Sequence, residues 1–140
     1  MRQYIIMGAG GHAVVIADIL FKCGYSLKGF LDDVVAIDTD ILGARLLGRL
    51  DDCMKHLDCL FLIGVGDNQT RKNIAQMYAI EYGVAIHPTA VIGSQVSIGQ
   101  GTVVMAKSVI NARTTIGEHC IVNTSATVEH DNHILDFVHV

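Results

Sequence analysis

Two architectures are joined in this chain: a small α/β domain built on a parallel sheet, and a parallel β-helix of triangular section. Three observations specify them. Over residues 1–86, short apolar runs alternate with segments of helical spacing. A glycine turn, Gly8-Ala9-Gly10-Gly11-His12-Ala13, closes the first apolar run and opens a helix. From Ile92 onward every sixth residue is Ile or Val: Ile92, Ile98, Val104, Ile110, Ile116, Val122, Val128, Ile134 and Val140.

The α/β elements follow in order. Gln3 to Met7 reads as a buried strand ending at Gly8. Val14, Val15, Asp18, Ile19 and Cys23 have helical spacing from Gly11, and Gly24 is the stop. Leu27 to Leu31 is a second strand, followed by Asp32-Asp33. Asp51 to His56 reads as a short helix. Cys59 to Ile63 is a third buried strand closed by Gly64-Val65-Gly66. Asp67 or Asn68 caps a helix expected to run to about Tyr82, and Val84 to Ile86 is a last short strand. Strand–helix alternation of this kind gives right-handed crossovers and a parallel sheet.

The only proline, in His87-Pro88, marks the change of pattern, so the domains are expected over residues 1–86 and 87–140. A period of six fits neither a helix nor simple strand alternation. A triangular coil accounts for it: each hexad forms one side with its Ile or Val inward, and three hexads make a turn. Ile92, Ile110 and Val128 then stack. The residue four beyond each apolar position is mostly small (Thr102, Ser108, Thr114, Cys120, Ala126), as a crowded corner requires.

Composition narrows the function. Hydrophobic residues make up 51% and charged residues 17% of the 140, which excludes a disordered chain. A net charge of −4 argues against a nucleic-acid surface. No apolar stretch approaches the roughly 18 residues of a membrane span, and Gly8 to His12 interrupt what a signal peptide would keep apolar. Cys23, Cys53, Cys59 and Cys120 lack metal-finger spacing and suit reduced thiols in a cytoplasmic protein. Residues 87–140 hold only 2 basic and 4 acidic residues, which points to a covered surface, including a subunit interface.

The glycine turn can present backbone N–H groups to a phosphate at the positive end of the helix. His12 in this turn reads equally well as facing that crevice or as a solvent-facing turn residue. Asp32 and Asp33 lie at the next strand end, where an acid binds a ribose hydroxyl. Asp67 and Asn68 overhang the same crevice, although Asp33, Asp67 and Asn68 serve equally well as turn and cap residues. In the coil the pattern is most disturbed at Glu129-His130-Asp131, where Glu129 stands in the column of Gly93 and Asn111 and His130 in that of Ser94 and Ala112. A histidine with an adjacent carboxylate suits proton abstraction from a hydroxyl or amine. His130-x-x-His133 straddles a corner and His133 and His139 point apart, so no metal site is expected.

Five segments carry a family resemblance: Gly8-Ala9-Gly10-Gly11-His12, Phe30-Leu31-Asp32-Asp33, Ile63-Gly64-Val65-Gly66-Asp67-Asn68, Val109-Ile110-Asn111-Ala112, and Val122-Asn123-Thr124-Ser125-Ala126-Thr127-Val128-Glu129-His130-Asp131. Together they resemble the bacterial sugar acetyltransferases with an N-terminal α/β sugar-nucleotide domain and a C-terminal left-handed β-helix. These include UDP-4-amino-sugar N-acetyltransferases and sialic acid O-acetyltransferases. The resemblance implies a sugar or UDP-sugar substrate, acetyl-CoA as co-substrate in the groove between adjacent β-helices, and a homotrimer for the full-length protein. It implies His130 as general base, Asp131 as its orienting partner, Asn123 near the acetyl site and His139 near the acceptor sugar. Gly11, His12, Asp32 and Asp33 match the sugar-nucleotide contacts. The family's chains continue for several turns beyond the segment matched by Phe137-Val138-His139, and usually have Gly where Leu135 stands. For residues 1–140 alone the expectation is weak trimerisation and little acetyl transfer. Two other readings remain: a Rossmann-type NAD or nucleotide module, resting on Gly8, Gly10, Ala13 and Asp32, and a non-catalytic sugar-nucleotide-binding remnant.

Overall fold

A computed structural model describes residues 1–140. The first half forms β1 (Tyr4–Met7), α1 (Gly11–Lys22), β2 (Leu27–Leu31), β3 (Asp40–Ile41), β4 (Ala44–Gly48), a 3₁₀ turn over Leu50–Lys55, β5 (Leu60–Ile63) and α2 (Asn68–Met77). The sheet order is β3-β4-β2-β1-β5, parallel throughout except at β3. Alternation along the strands divides the core. Tyr4, Ile6, Phe30 and Leu46 face α1, whereas Ile5, Met7, Leu31 and Phe61 face Ile74, Tyr78 and Tyr82.

α1 ends in a Schellman motif. Gly24 takes φ +77°, its N–H donates to Phe21 O, and Tyr25 N–H donates to Leu20 O. α2 stops at Met77, short of the expected Tyr82. Phe61 N–H donates to Glu81 O and Gly83 N–H to Phe61 O, so the chain beside β5 must be extended there. β3 and β4 carried no recognised signal, because their two-residue turn is Leu42-Gly43, both at positive φ, rather than an Asn-Gly or Asp-Gly pair.

The second half is a left-handed β-helix of two-residue strands: β6 (Ala85–Ile86), β7 (Val91–Ile92), β8 (Ser97–Ile98), β9 (Val103–Val104), β10 (Val109–Ile110), β11 (Thr115–Ile116), β12 (Ile121–Val122), β13 (Thr127–Val128) and β14 (His133–Ile134). They stack as three faces, β6-β9-β12, β7-β10-β13 and β8-β11-β14. Ile92, Ile110 and Val128 are in register, as the hexad predicts. Ile86 belongs to the same series, so the last strand expected of the sheet is instead the first of the coil.

From β7 onward each corner holds one residue in the left-handed region, again six apart: Gln95, Gly101, Lys107, Arg113, His119, Ser125, Asp131 and Phe137. That conformation turns each N–H of the upper turns onto the turn beneath. Arg113 donates to Ser94 O, His119 to Gln100 O, Ser125 to Ala106 O, Asp131 to Ala112 O and Phe137 to Glu118 O, all at 2.9–3.0 Å. The small residues tie the turns together as well, with Thr102 Oγ1 donating to Gly117 O and Thr114 Oγ1 to Glu129 O, both at 2.8 Å.

One face of the coil is covered within the chain. Ala85, Val103, Met105 and Ile121 join the cluster around α1, so part of the low charge of the second half reflects this internal contact. Gly101 sits where coil and domain meet: at φ +77°, a Cβ would lie 2.1 Å from His119 Nδ1. Gly101→Ala is expected to destabilise the fold by about 2–4 kcal/mol. Gly24→Ala, with open space around it, should lose only about 1 kcal/mol. Urea denaturation of the two variants checks the difference.

Candidate active site

His130 occupies the last position before the Asp131 corner, between β13 and β14. Its Nδ1 lies 2.6 Å from Asp131 Oδ2. Arg113, one turn below, donates Nε to Asp131 Oδ1 and Nη2 to Oδ2, both at 2.7 Å. The guanidinium first, and the His130 hydrogen bond second, hold the Asp131 carboxyl far below the usual carboxylate range. Glu129 Oε2 accepts from Asn111 Nδ2 at 3.4 Å, and Asn132 Nδ2 donates to Glu129 O. Asn123 is exposed one hexad earlier, its side chain accepting from Thr124 N–H.

The glycine turn occupies the opposite half of the molecule. Gly8 takes φ +108°, a conformation favouring glycine, and Gly11 opens α1 exposed to solvent. Asp32 is internally engaged: Oδ2 accepts from Ala9 N–H at 3.1 Å, and Oδ1 from Val34 and Val35 N–H. Asp33 Oδ1 accepts from Leu50 N–H. Asp67 is the cap of α2, accepting from Thr70 N–H at 2.8 Å and from its hydroxyl at 2.7 Å. Asn68 Oδ1 accepts from Arg71.

His12 is partly buried, and its Nε2 is enclosed without a hydrogen-bond partner. Burial, and then the charges of Arg71 and His139, push its pKa down to about 4. Arg71 and His139 are thus near enough to His12 for their charges to act on it, while His130 stands at the Asp131 corner.

Arg71 is the residue that sequence reasoning missed. It is 1% exposed, and its guanidinium has no carboxylate partner. All its donors meet neutral acceptors instead. Nε reaches His119 O at 2.7 Å, Nη1 reaches Val65 O and Gly66 O, and Nη2 reaches Asn68 Oδ1 and Phe137 O. It thus ties the loop after β5 to two turns of the coil.

His119 is enclosed against this hub, stacked on Phe137 and edge-on to Tyr82, with Nδ1 unpartnered. Burial and then Arg71 lower its pKa to about 4. Both His12 and His119 are therefore neutral in the fold, while an unfolded histidine titrates near 6.5. Their stabilising contribution is intact above about pH 6.5, declines as the unfolded chain takes up protons, and is lost once pH passes about 4. Urea midpoints at pH 7.5 and pH 5 should show the fall, and His119→Phe should lessen it.

The largest depression, about 620 Å³, lies between α2 and the coil, lined by Lys72, His133, Leu135 and Phe137 among others. Neither His130 nor the glycine turn lines it. No three His, Cys, Asp or Glu side chains converge on a common point. No helix is long and apolar enough to cross a membrane.

A glycine-turn α/β domain joined to a left-handed β-helix, with an imidazole–carboxylate pair on a coil corner, defines a class of two-part β-helix proteins. Residues 3–78 match the PglD N-terminal domain family, and the chain belongs to that family, among the bacterial sugar acetyltransferases. It is 37% identical to UDP-N-acetylbacillosamine N-acetyltransferase of Bacillus subtilis (strain 168), over 76% of this chain and 52% of that protein. The chain thus spans about half the length of that relative. Among solved structures, a mutant of perosamine N-acetyltransferase from Caulobacter crescentus, in complex with CoA and GDP-perosamine, superposes with TM-score 0.90 at 30% identity. The match covers 99% of this chain and 68% of that one. The acetyltransferase domain of PglB from Neisseria gonorrhoeae FA1090, in complex with acetyl coenzyme A, gives TM-score 0.90 at 33% identity, covering 99% and 69%.

Proposed function

We propose that the protein transfers an acetyl group from acetyl-CoA to the amino group of a nucleotide-linked sugar, with His130 as general base. The observation that carries this is the 2.6 Å contact of His130 Nδ1 with Asp131 Oδ2, which leaves Nε2 as the free ring nitrogen. The sugar amine attacks the thioester carbonyl carbon, forming the C–N bond as the carbonyl electron pair moves to oxygen. Nε2 takes the N–H proton. The tetrahedral intermediate collapses, the C–S bond breaks, and the departing CoA thiolate receives that proton from the imidazolium. Backbone N–H groups would stabilise the oxyanion. The named activities of the similar proteins, all N-acetyltransferases where the acceptor is stated, favour an amine over a hydroxyl.

In this reading Gly11 and His12 contact the sugar nucleotide's phosphates, His139 adjoins the acceptor sugar and Asn123 the acetyl group. Asp33 keeps a free carboxylate oxygen for the nucleotide, whereas Asp32, Asp67 and Asn68 act indirectly by shaping the crevice. A homotrimer fits the low charge of residues 87–140, and a neighbouring copy can bring further residues to the His130 corner. We divide the domains just before β6 (Ala85–Ile86), two residues ahead of the expected boundary between 86 and 87. The four free thiols and the proposed CoA substrate support a cytoplasmic placement. A Rossmann-type redox reading is weakened by Asp32, whose carboxylate already carries three backbone N–H bonds.

The test offers the full-length protein acetyl-CoA with UDP-4-amino sugars and with sialic-acid-type sugars, and follows release of the CoA thiol. Release with an amino-sugar nucleotide supports the reading. Release only with hydroxyl acceptors would reassign the acceptor, and hydride transfer with NAD in place of thiol release would overturn it.

A further inference from the structure

We infer that Arg113 is a positioning residue for this reaction, clamping Asp131 so that the carboxylate holds His130 with Nε2 presented to the substrates. The inference rests on the reading of His130 as the base. Arg113 and Asp131 are 18 residues apart and occupy successive corners of one column, both in the left-handed conformation (φ 60° and 57°). Stacking therefore points both side chains out of the same edge. Their bidentate contact, 2.7 Å on each arm, fixes the plane of the carboxylate as well as its position. Oδ2 is shared between Arg113 Nη2 and His130 Nδ1. His130 and Asp131 are solvent-exposed, with side-chain exposures of 70% and 45%. An unclamped carboxylate there would sample several rotamers, and the imidazole would lose its fixed acceptor.

The clamp depends on the fork of the guanidinium as well as on its charge. A lysine would keep the charge and lose the two-armed geometry.

Arg113→Met and Arg113→Lys separate the two effects in the full-length protein. Two readouts are needed: the 15N chemical shifts of the His130 ring, which report the tautomer and require no turnover, and steady-state acetyl transfer. For Arg113→Met the ring shifts should move towards mixed-tautomer values, because the carboxylate that accepts from Nδ1 is no longer held. kcat should fall about tenfold with KM for acetyl-CoA unchanged. Arg113→Lys should restore only part of the tautomer preference and part of kcat. Unaltered ring shifts in Arg113→Met, or a change in Tm alone, overturns the inference. His130→Ala serves as the control: if it retains full activity, the reading of His130 as base fails, whereas an inactive His130→Ala beside an unaltered Arg113→Met leaves that reading standing and removes only the role of Arg113.

Discussion

His130→Ala is expected to slow acetyl transfer by about 10²–10⁴-fold, the range for loss of a positioned general base. The fold should be indifferent to the change. His130 is exposed, sits on a corner rather than among the inward Ile and Val residues, and its backbone supports no strand. Unfolding midpoints should therefore match the parent protein while thiol release collapses. Asp131→Asn should lower the rate less, because the amide still occupies the corner but cannot accept from Arg113 and His130 as a carboxylate does. Its stability should change little, since an exposed ion pair contributes little. Wild-type turnover by His130→Ala would remove the base from this corner.

Arg71→Met should have the largest effect on stability, a loss of about 3–5 kcal/mol. A buried guanidinium replaced by a thioether leaves the carbonyls of Val65, Gly66, His119 and Phe137 without donors, in a site closed to water. Arg71→Lys should recover part of this loss, because an ammonium carries three donors in place of five. Arg71→Met also removes a cation near His12 and His119, so the acid-induced loss of stability between pH 6.5 and 4 should become shallower. Urea titrations at two pH values measure both effects. A shift under about 1 kcal/mol would mean that the domain junction is held by the apolar contacts of Val103, Met105 and Ile121 with α1 alone.

The coil was legible because its constraint is strictly periodic: one inward residue per side produces a series that survives any choice among Ile and Val. Its corners were not, since the left-handed position accepts Gln, Lys, Arg, His, Ser, Asp and Phe and leaves no compositional trace. Arg71 was hidden for another reason. A basic residue in the first turns of a helix reads as a solvated face, and only the docking of the coil against α2 buries it. Asp67 reads from sequence as either cap or ligand, and its contacts with Thr70 show that it caps α2. The Arg113–Asp131 pair was readable in principle: the 18-residue period that stacks Ile110 on Val128 also stacks Arg113 beneath Asp131, with opposite charges.

The acetylated product decides the matter most directly. Full-length protein is incubated with acetyl-CoA and a nucleotide-linked amino sugar, and the sugar nucleotide is examined by mass spectrometry and NMR. The expected product is heavier by one acetyl group, with that group on the sugar nitrogen, and it is absent with His130→Ala. An unmodified sugar nucleotide from the wild-type protein, or an equal yield from His130→Ala, would contradict the assignment of His130 as the base of an acetyl transfer.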